Sequence, residues 1–450
     1  MGRLFGTDGA RGVANSEISP ELAMKIGKAA AMVLTEQTEG RKPRVLIGMD
    51  TRASGDMIEA ALAAGFCSVG VNVMTLGVVP TPAVAYLVKE YKYDAAVMIS
   101  ASHNPCEYNG IKIFKRDGYK LPDEIENKIE EIILDEAEIP PVRIGGEVGK
   151  ISVAKNDIND YIDHLKTTVD TDFSGMKIAL DCANGSASVS AETLFTDLGA
   201  DVFALSARPN GVNINDKCGS THIGQLQEFV KNNGLMAGFA FDGDADRMLA
   251  VDENGELVDG DKIIAICSKF MKDEGRLPKG TAVVTVMTNM GFYKFCDENG
   301  IKYAATKVGD RYVLEEMLKE GYSIGGEQSG HVIFLDYATT GDGQLTALQV
   351  LRIMKKTGKK LSELASCMKV FPQTMINVRV SNMGKARFPY DKEIKTAIEV
   401  TEKRLGNKGR VLVRVSGTEP LVRIMLEGEN LKDIEKYAAE IAEVVRERLL

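Results

Sequence analysis

No apolar run in the chain approaches the ~18 residues a bilayer span needs. No continuous apolar stretch follows Arg3 and Asp8 at the start, so no secretory signal is read there. The seven cysteines, Cys67, Cys106, Cys182, Cys218, Cys267, Cys296 and Cys367, form no CxxC pair and are odd in number. They read as reduced, mostly structural thiols, and the expected location is the cytoplasm. Basic residues are outnumbered, 55 Lys and Arg against 64 Asp and Glu, for a net charge of −9. That balance argues against a general nucleic-acid binder and requires a local basic pocket for any anionic substrate.

What remains is an ordinary globular composition, 44% hydrophobic and 26% charged over 450 residues, enough for about three domains. Three segments repeat one plan. Val45–Asp50, Lys177–Asp181 and Ala282–Val286 each read as a strand followed by a helix and a second strand, near 71–74, 200–203 and 301–304. Gly70, Gly199 and Gly300 stand where a helix should stop before that second strand. The repeat predicts α/β domains with largely parallel sheets. Asn254-Gly255 reads as a hairpin closing the second unit, and the breaker-rich stretch Ile139-Pro140-Pro141 through Gly146 as a link before it. After Phe371-Pro372 the order changes: a strand over 375–380, a helix over 392–405, a strand pair over 410–415 and 421–426, and a helix with Ile434, Tyr437, Ala438, Ile441 and Val445 on one face. This is a small α+β domain. The expected domains are 1–150, 151–255, 256–370 and 371–450.

Two glycine-rich stretches are discounted. Gly145-Gly146-Glu147-Val148-Gly149-Lys150 lacks the first glycine of a P-loop and has Ile151 where Ser or Thr is required. Gly6-Thr7-Asp8-Gly9-Ala10-Arg11-Gly12 is not a dinucleotide fingerprint.

Four loops carry chemistry. Ile99-Ser100-Ala101-Ser102-His103-Asn104-Pro105 ends the apolar run Ala95–Ile99 and delivers two hydroxyls and an imidazole to a sheet edge. One of the serines is a candidate nucleophile; an ST-type turn stopped by Pro105 is the plain structural alternative. Asp242-Gly243-Asp244-Ala245-Asp246-Arg247 sets three carboxylates on alternate residues, which converge on one face if extended. Two carboxylates ~4 Å apart repel by about 4 kcal/mol at an effective dielectric of 20, so the cluster implies a cation or a proton. Oxygen ligands point to Mg²⁺ or Ca²⁺. An EF-hand is rejected because Arg247 stands where that loop needs Gly and the flanks read as strands.

Gly326-Glu327-Gln328-Ser329-Gly330-His331 offers a carboxylate and a hydroxyl on one side, a match for adjacent sugar hydroxyls, with His331 either a proton carrier or a buried structural imidazole. Arg414-Val415-Ser416-Gly417-Thr418-Glu419-Pro420, with Arg423, mixes cations, hydroxyls and a glycine as a phosphate site does. A serine, a hard-metal site, a hydroxyl reader and a phosphate clamp add up to phosphoryl transfer on a sugar phosphate.

In these four motifs and their order the chain resembles the α-D-phosphohexomutases over its whole length, most closely the bacterial phosphoglucosamine mutases. Phe5–Gly12 and Leu335–Gly343 carry the likeness to the glucosamine branch. The resemblance implies four domains around a central cleft, each supplying one loop. It implies that Ser102 is phosphorylated and that Ser102, Asp242, Asp244 and Asp246 hold one Mg²⁺ per site. Arg247, Lys112, His331, Arg11 and His103 fall near the transferred group. Glu327 and Ser329 would hold the sugar hydroxyls; Arg414, Ser416, Gly417, Thr418 and Arg423 would hold the phosphate that does not react. The implied reaction converts glucosamine 6-phosphate to glucosamine 1-phosphate through a 1,6-bisphosphate, feeding amino-sugar nucleotide and cell-wall precursor synthesis. The implied partner is a small sugar phosphate, with no nucleic acid or membrane and with a homodimer left open. The rival readings are a phosphomannomutase/phosphoglucomutase with the same catalytic residues, a non-catalytic sugar-phosphate-binding regulator, and a metal-dependent phosphatase.

Overall fold

The computed structural model describes residues 3–6, 8–35, 41–138, 142–155, 157–416 and 420–450. The chain forms two compact units, Met1–Met287 with Ile301–Cys367, and Thr288–Gly300 with Met368–Leu450. Among the described residues there are four sheets, of seven, five, four and three strands. The first three are mixed and lie in the first unit.

The strand Ala95–Ile99 is buried at every residue, as a continuous apolar run must be in a sheet covered on both faces. It runs parallel to Arg44–Met49, with Met49 opposite Ile99, and antiparallel to Tyr108–Lys115. Because the two parallel strands end level, Asp50 and Ser100 emerge side by side. Outer strands Asn72–Val78 and Ile151–Val153 complete one edge, and the hairpin of Phe5–Gly6 and Gly9–Val13 the other. Gly6 and Gly9–Gly12 thus lie in paired antiparallel strands, not in a nucleotide loop.

The second sheet aligns Lys177–Asp181 parallel with Asp201–Leu205 and Ala237–Phe241, then turns back antiparallel through Met248–Asp252 and Leu257–Val258. The third aligns Thr281–Thr285 with Lys302–Thr306 and Ile324–Gly326, then turns back through Val332–Phe334. All three sheets share one device: a parallel strand reverses into an antiparallel neighbour, and the reversal carries the polar motif. Gly70, Gly199 and Gly300 all have positive φ, and Gly255 turns the expected hairpin at φ 85°.

A helix buried almost all round, Gly343–Thr357, runs through the first unit, and its first N–H donates to the Ala245 carbonyl in the second sheet's reversal. In the second unit the antiparallel strands Gln373–Arg379, Leu421–Gly428 and Gly409–Val415 are covered by Lys392–Leu405 and Leu431–Leu449. Ile434, Ala438, Ile441 and Val445 are buried on the expected face of the last helix, with Tyr437 packed at its margin.

Candidate functional site

The reversal after Ala95–Ile99 holds Ser102 in the left-handed region, φ 54°, a conformation costing of order 1–3 kcal/mol for a non-glycine residue. Three groups hold it there. Ser100 Oγ accepts from the Ser102 N–H at 2.9 Å and donates to Asp50 Oδ2 at 2.6 Å. The buried Arg52 guanidinium donates to the Ser102 and Asn104 carbonyls at 3.0 and 2.8 Å and is itself held by Asp50 at 2.9 Å. Asn215 donates to the same two carbonyls, at 2.9 and 3.1 Å. Ser100 is therefore part of the scaffold, and Ser102 Oγ is aimed away from it.

That oxygen donates to Asp242 Oδ2 at 2.7 Å. The acidic motif is not the extended segment its alternation predicts. It is a tight turn between Ala237–Phe241 and Met248–Asp252, with Ala245 at φ 59° and the Ala245 N–H bonded to the Asp242 carbonyl. The curl, rather than a shared strand face, brings the three carboxylates to within 4.8 Å of one another. Strands on both flanks agree with the rejection of an EF-hand.

Three buried carboxyls this close need cations or a proton. Lys112 Nζ, 1% exposed, lies 2.7 Å from Asp244 Oδ2, 3.4 Å from Asp246 Oδ2 and 3.0 Å from Asp8 Oδ2. Burial opposes its charge, but Asp244, Asp8 and Asp246 outweigh burial and hold its pKa well above the usual lysine range. Thr81 Oγ1 also donates to Asp244 Oδ2, at 2.6 Å. Asp242 has the Arg247 guanidinium 4.0 Å away, but burial, Asp246 and Asp244 outweigh it and push the Asp242 pKa up to about 8. Two carboxylate oxygens, Asp244 Oδ1 and Asp246 Oδ1, are buried without a hydrogen-bond partner. Buried orphan carboxylate oxygens are what a small hard cation satisfies, so the residues present fit Mg²⁺.

The Arg247 guanidinium lies 3.3 Å from Ser102 Oγ and donates to His103 Nδ1 at 2.7 Å. Partial desolvation, Arg247 and Arg11 pull the His103 imidazole down to about 4, so it is neutral near pH 7. Arg11 pairs with Asp8 at 3.0 Å. His331 is buried, with Nδ1 3.7 Å from Asp246 Oδ1 and Nε2 accepting from the Gly341 N–H at 3.1 Å. A Cβ on Gly341 would stand 2.5 Å from the imidazole, so only glycine admits the ring. Burial works against protonating His331, but Asp246 and Asp310 raise its pKa.

Glu327 and Ser329 lie in the third reversal, which is also a turn rather than extended chain. Glu327 Oε1 accepts from the Gly309 N–H at 3.0 Å, and Ser329 is exposed. Gly330, at φ 92°, seats this turn on the strand that leaves the acidic turn: Met248 N–H donates to the Gly330 carbonyl at 3.0 Å, and a Cβ there would lie 2.3 Å from the Met248 carbonyl oxygen. The three motifs of the first unit are thus one site. In the second unit, Arg414 and Arg423 stand directly opposite each other on neighbouring strands, and Ser416 is buried beyond them. Gly417 and Thr418 fall outside the described residues.

Sequence reasoning missed Arg52, Thr81, Lys120, Asn215 and Asp310, and passed over Asp8. Arg52 had a signal, since it follows the strand end at Asp50 as Ser102 follows Ile99. The others act through partners far away in the chain.

Four domain descriptions of the phosphoglucomutase/phosphomannomutase family match in order: alpha/beta/alpha domain I over residues 2–139, domain II over 159–255, domain III over 259–371 and the C-terminal domain over 375–444. The chain belongs to the phosphoglucomutase/phosphomannomutase family. Within the family it is 55% identical over 450 residues to the phosphoglucosamine mutase of Caldanaerobacter subterraneus, covering 100% of both chains. It is 54% identical to that of Clostridium novyi, covering 100% of this chain and 99% of the other. A family protein from Burkholderia thailandensis shares the fold at a TM-score of 0.81 and 24% identity, over 98% of this chain and 97% of that one. So does Aspergillus fumigatus N-acetylphosphoglucosamine mutase, solved in complex with GlcNAc-6P and magnesium, at 0.71 and 16%, over 99% and 96%.

Proposed function

We propose that the chain is a phosphoglucosamine mutase, which interconverts glucosamine 6-phosphate and glucosamine 1-phosphate through phosphorylated Ser102 and a glucosamine 1,6-bisphosphate. The observation that carries the reading is the Ser102 oxygen 2.7 Å from Asp242, at the edge of an acidic triad with two orphan oxygens. Full-length identity of 54–55% to phosphoglucosamine mutases supports the substrate.

Asp242, Asp244, Asp246 and the Ser102 phosphate would hold Mg²⁺, which when bound withdraws charge from phosphorus. The chain's own residues do the rest. The phosphoryl group passes from Ser102 to a substrate hydroxyl, and Ser102 is left as the leaving oxygen. Arg247, 3.3 Å from that oxygen, and Lys112, at the triad, are placed to meet the charge that develops. Glu327 and Ser329 fix the ring by its hydroxyls. Arg414, Ser416, Gly417, Thr418 and Arg423 hold the other phosphate; the bisphosphate then turns over, so that they take the phosphate just transferred and the second phosphoryl group passes to Ser102. His331 is the candidate to move the hydroxyl proton.

The reading assigns this work to domains 1–150, 151–255, 256–370 and 371–450, with Ile151–Val153 lending its strand to the first sheet. It places the enzyme in the cytoplasm. All seven cysteines are free, and among the described residues no helix is long and apolar enough to cross a membrane. Purified protein assayed on glucosamine, glucose and mannose phosphates should prefer glucosamine; dominant turnover of a neutral hexose phosphate would overturn the substrate assignment.

A further inference from the structure

Asp8, Lys120 and Asp310 are deeply placed charges that take no part in the transfer just described. Lys120 Nζ donates to Asp8 Oδ1 at 2.5 Å and to Asp310 Oδ2 at 2.6 Å. Asp8 Oδ2 meets Lys112 Nζ at 3.0 Å and Arg11 at 3.0 Å. Asp310 Oδ2 stands 3.7 Å from His331 Nε2, while the neighbouring Gly309 N–H donates to Glu327. The side chains of Lys120, Asp310 and Asp8 are only 15%, 17% and 20% exposed. An ion chain this dry adds little stability over apolar packing of the same volume, so its value lies in the geometry it imposes.

We propose that the Asp8–Lys120–Asp310 bridge is a positioning device for phosphoryl transfer: Asp8 gathers Lys112 and Arg11 on one oxygen, Asp310 holds its charge 3.7 Å from the His331 ring that the Gly341 N–H orients, and Lys120 locks the two carboxylates together. The inference rests on the mutase reading and goes beyond it. When a phosphoryl oxygen draws Lys112 from Asp244 and Asp246, Asp8 keeps the ammonium within reach. Lys120 keeps Asp8 from following. The same lock fixes Asp310, so the imidazole keeps one register with the triad.

The same helix start carries its own control. Arg311 pairs with Glu126 at 3.1 Å and with Asp123 and donates to the Leu121 carbonyl, tying Asp310–Glu320 down beside the bridge without a bond to the side chains of Asp8, Lys120 or His331. Lys120→Met should lower kcat by about 10²-fold, as a misplacement near 1 Å does. Its KM for the sugar phosphate should move by no more than about threefold, since ground-state binding is untouched. Lys120→Arg should restore most of the loss, and Arg311→Met should lower Tm with kcat kept. If Lys120→Met and Arg311→Met lose stability and activity alike, or if Lys120→Met keeps full kcat, the proposal is wrong. Should Lys120→Met fail to fold, Asp310→Asn retains the Lys120–Asp8 pair and decides in its place, and unchanged kcat there overturns the proposal. Wild-type turnover of glucose phosphate in place of glucosamine phosphate would sink the substrate reading alone; the variant comparison is then made on glucose phosphate.

Discussion

The acidic turn of the first unit and the arginine pair of the second are each built around charges of one sign set side by side. At the turn, Asp242, Asp244 and Asp246 crowd within 4.8 Å, and Lys112 compensates two of them while leaving two oxygens orphaned. On the C-terminal sheet, Arg414 and Arg423 face each other across two strands, where like charges are destabilising. Burial and Arg423 hold the Arg414 guanidinium below its usual value. The acidic cluster, with two orphan oxygens, fits a hard cation, and the arginine pair is what the proposed function gives to a phosphate.

The largest expected effect is on the acidic side. Ser102→Ala should cut turnover of bisphosphate-primed enzyme by at least about 10⁴-fold; substantial residual activity would move the nucleophile to Ser100. Asp244→Asn should raise half-saturating Mg²⁺ by at least about tenfold, and an unaltered metal titration would contradict the ligand assignment. On the basic side, Arg423→Met should raise KM for the sugar phosphate by roughly tenfold or more, the worth of a charge-assisted bond. An unchanged KM would break the parallel between the two regions.

The pH effect is smaller and its sign follows from Asp242. With its pKa pushed up to about 8, this carboxyl carries a proton at neutral pH and must lose it when a cation binds. Mg²⁺ affinity should therefore weaken as pH falls below 8, by up to about tenfold per unit. Calorimetry in two buffers of different ionisation enthalpy should show proton release; heats independent of buffer would refute it.

Much of the site was legible in the sequence because the chemistry sits at strand ends. An apolar run such as Ala95–Ile99 that stops in Ser, His and Asn announces both a buried strand and a polar edge, and Ala237–Phe241 before the aspartates does the same. What alternation could not reveal was that the aspartates and Glu327 sit in turns, since residues two apart converge in a tight turn as readily as along a strand. Nor did the sequence reveal that the three functional loops are the same reversal from a parallel to an antiparallel neighbour. Asn215, Lys120 and Asp310 were hidden for another reason. Lys120 and Asp310 are 190 residues apart and Asn215 is 113 from Ser102, and nothing local distinguishes a lysine with a buried partner from a solvated one.

The most direct test is to load the enzyme from glucosamine 1,6-bisphosphate carrying labelled phosphate, quench it, and map the label by peptide. The account predicts a single acid-stable phosphoserine at Ser102 that discharges when unlabelled glucosamine 6-phosphate is added. Label at Ser100, or full turnover with no covalent label at all, would contradict it.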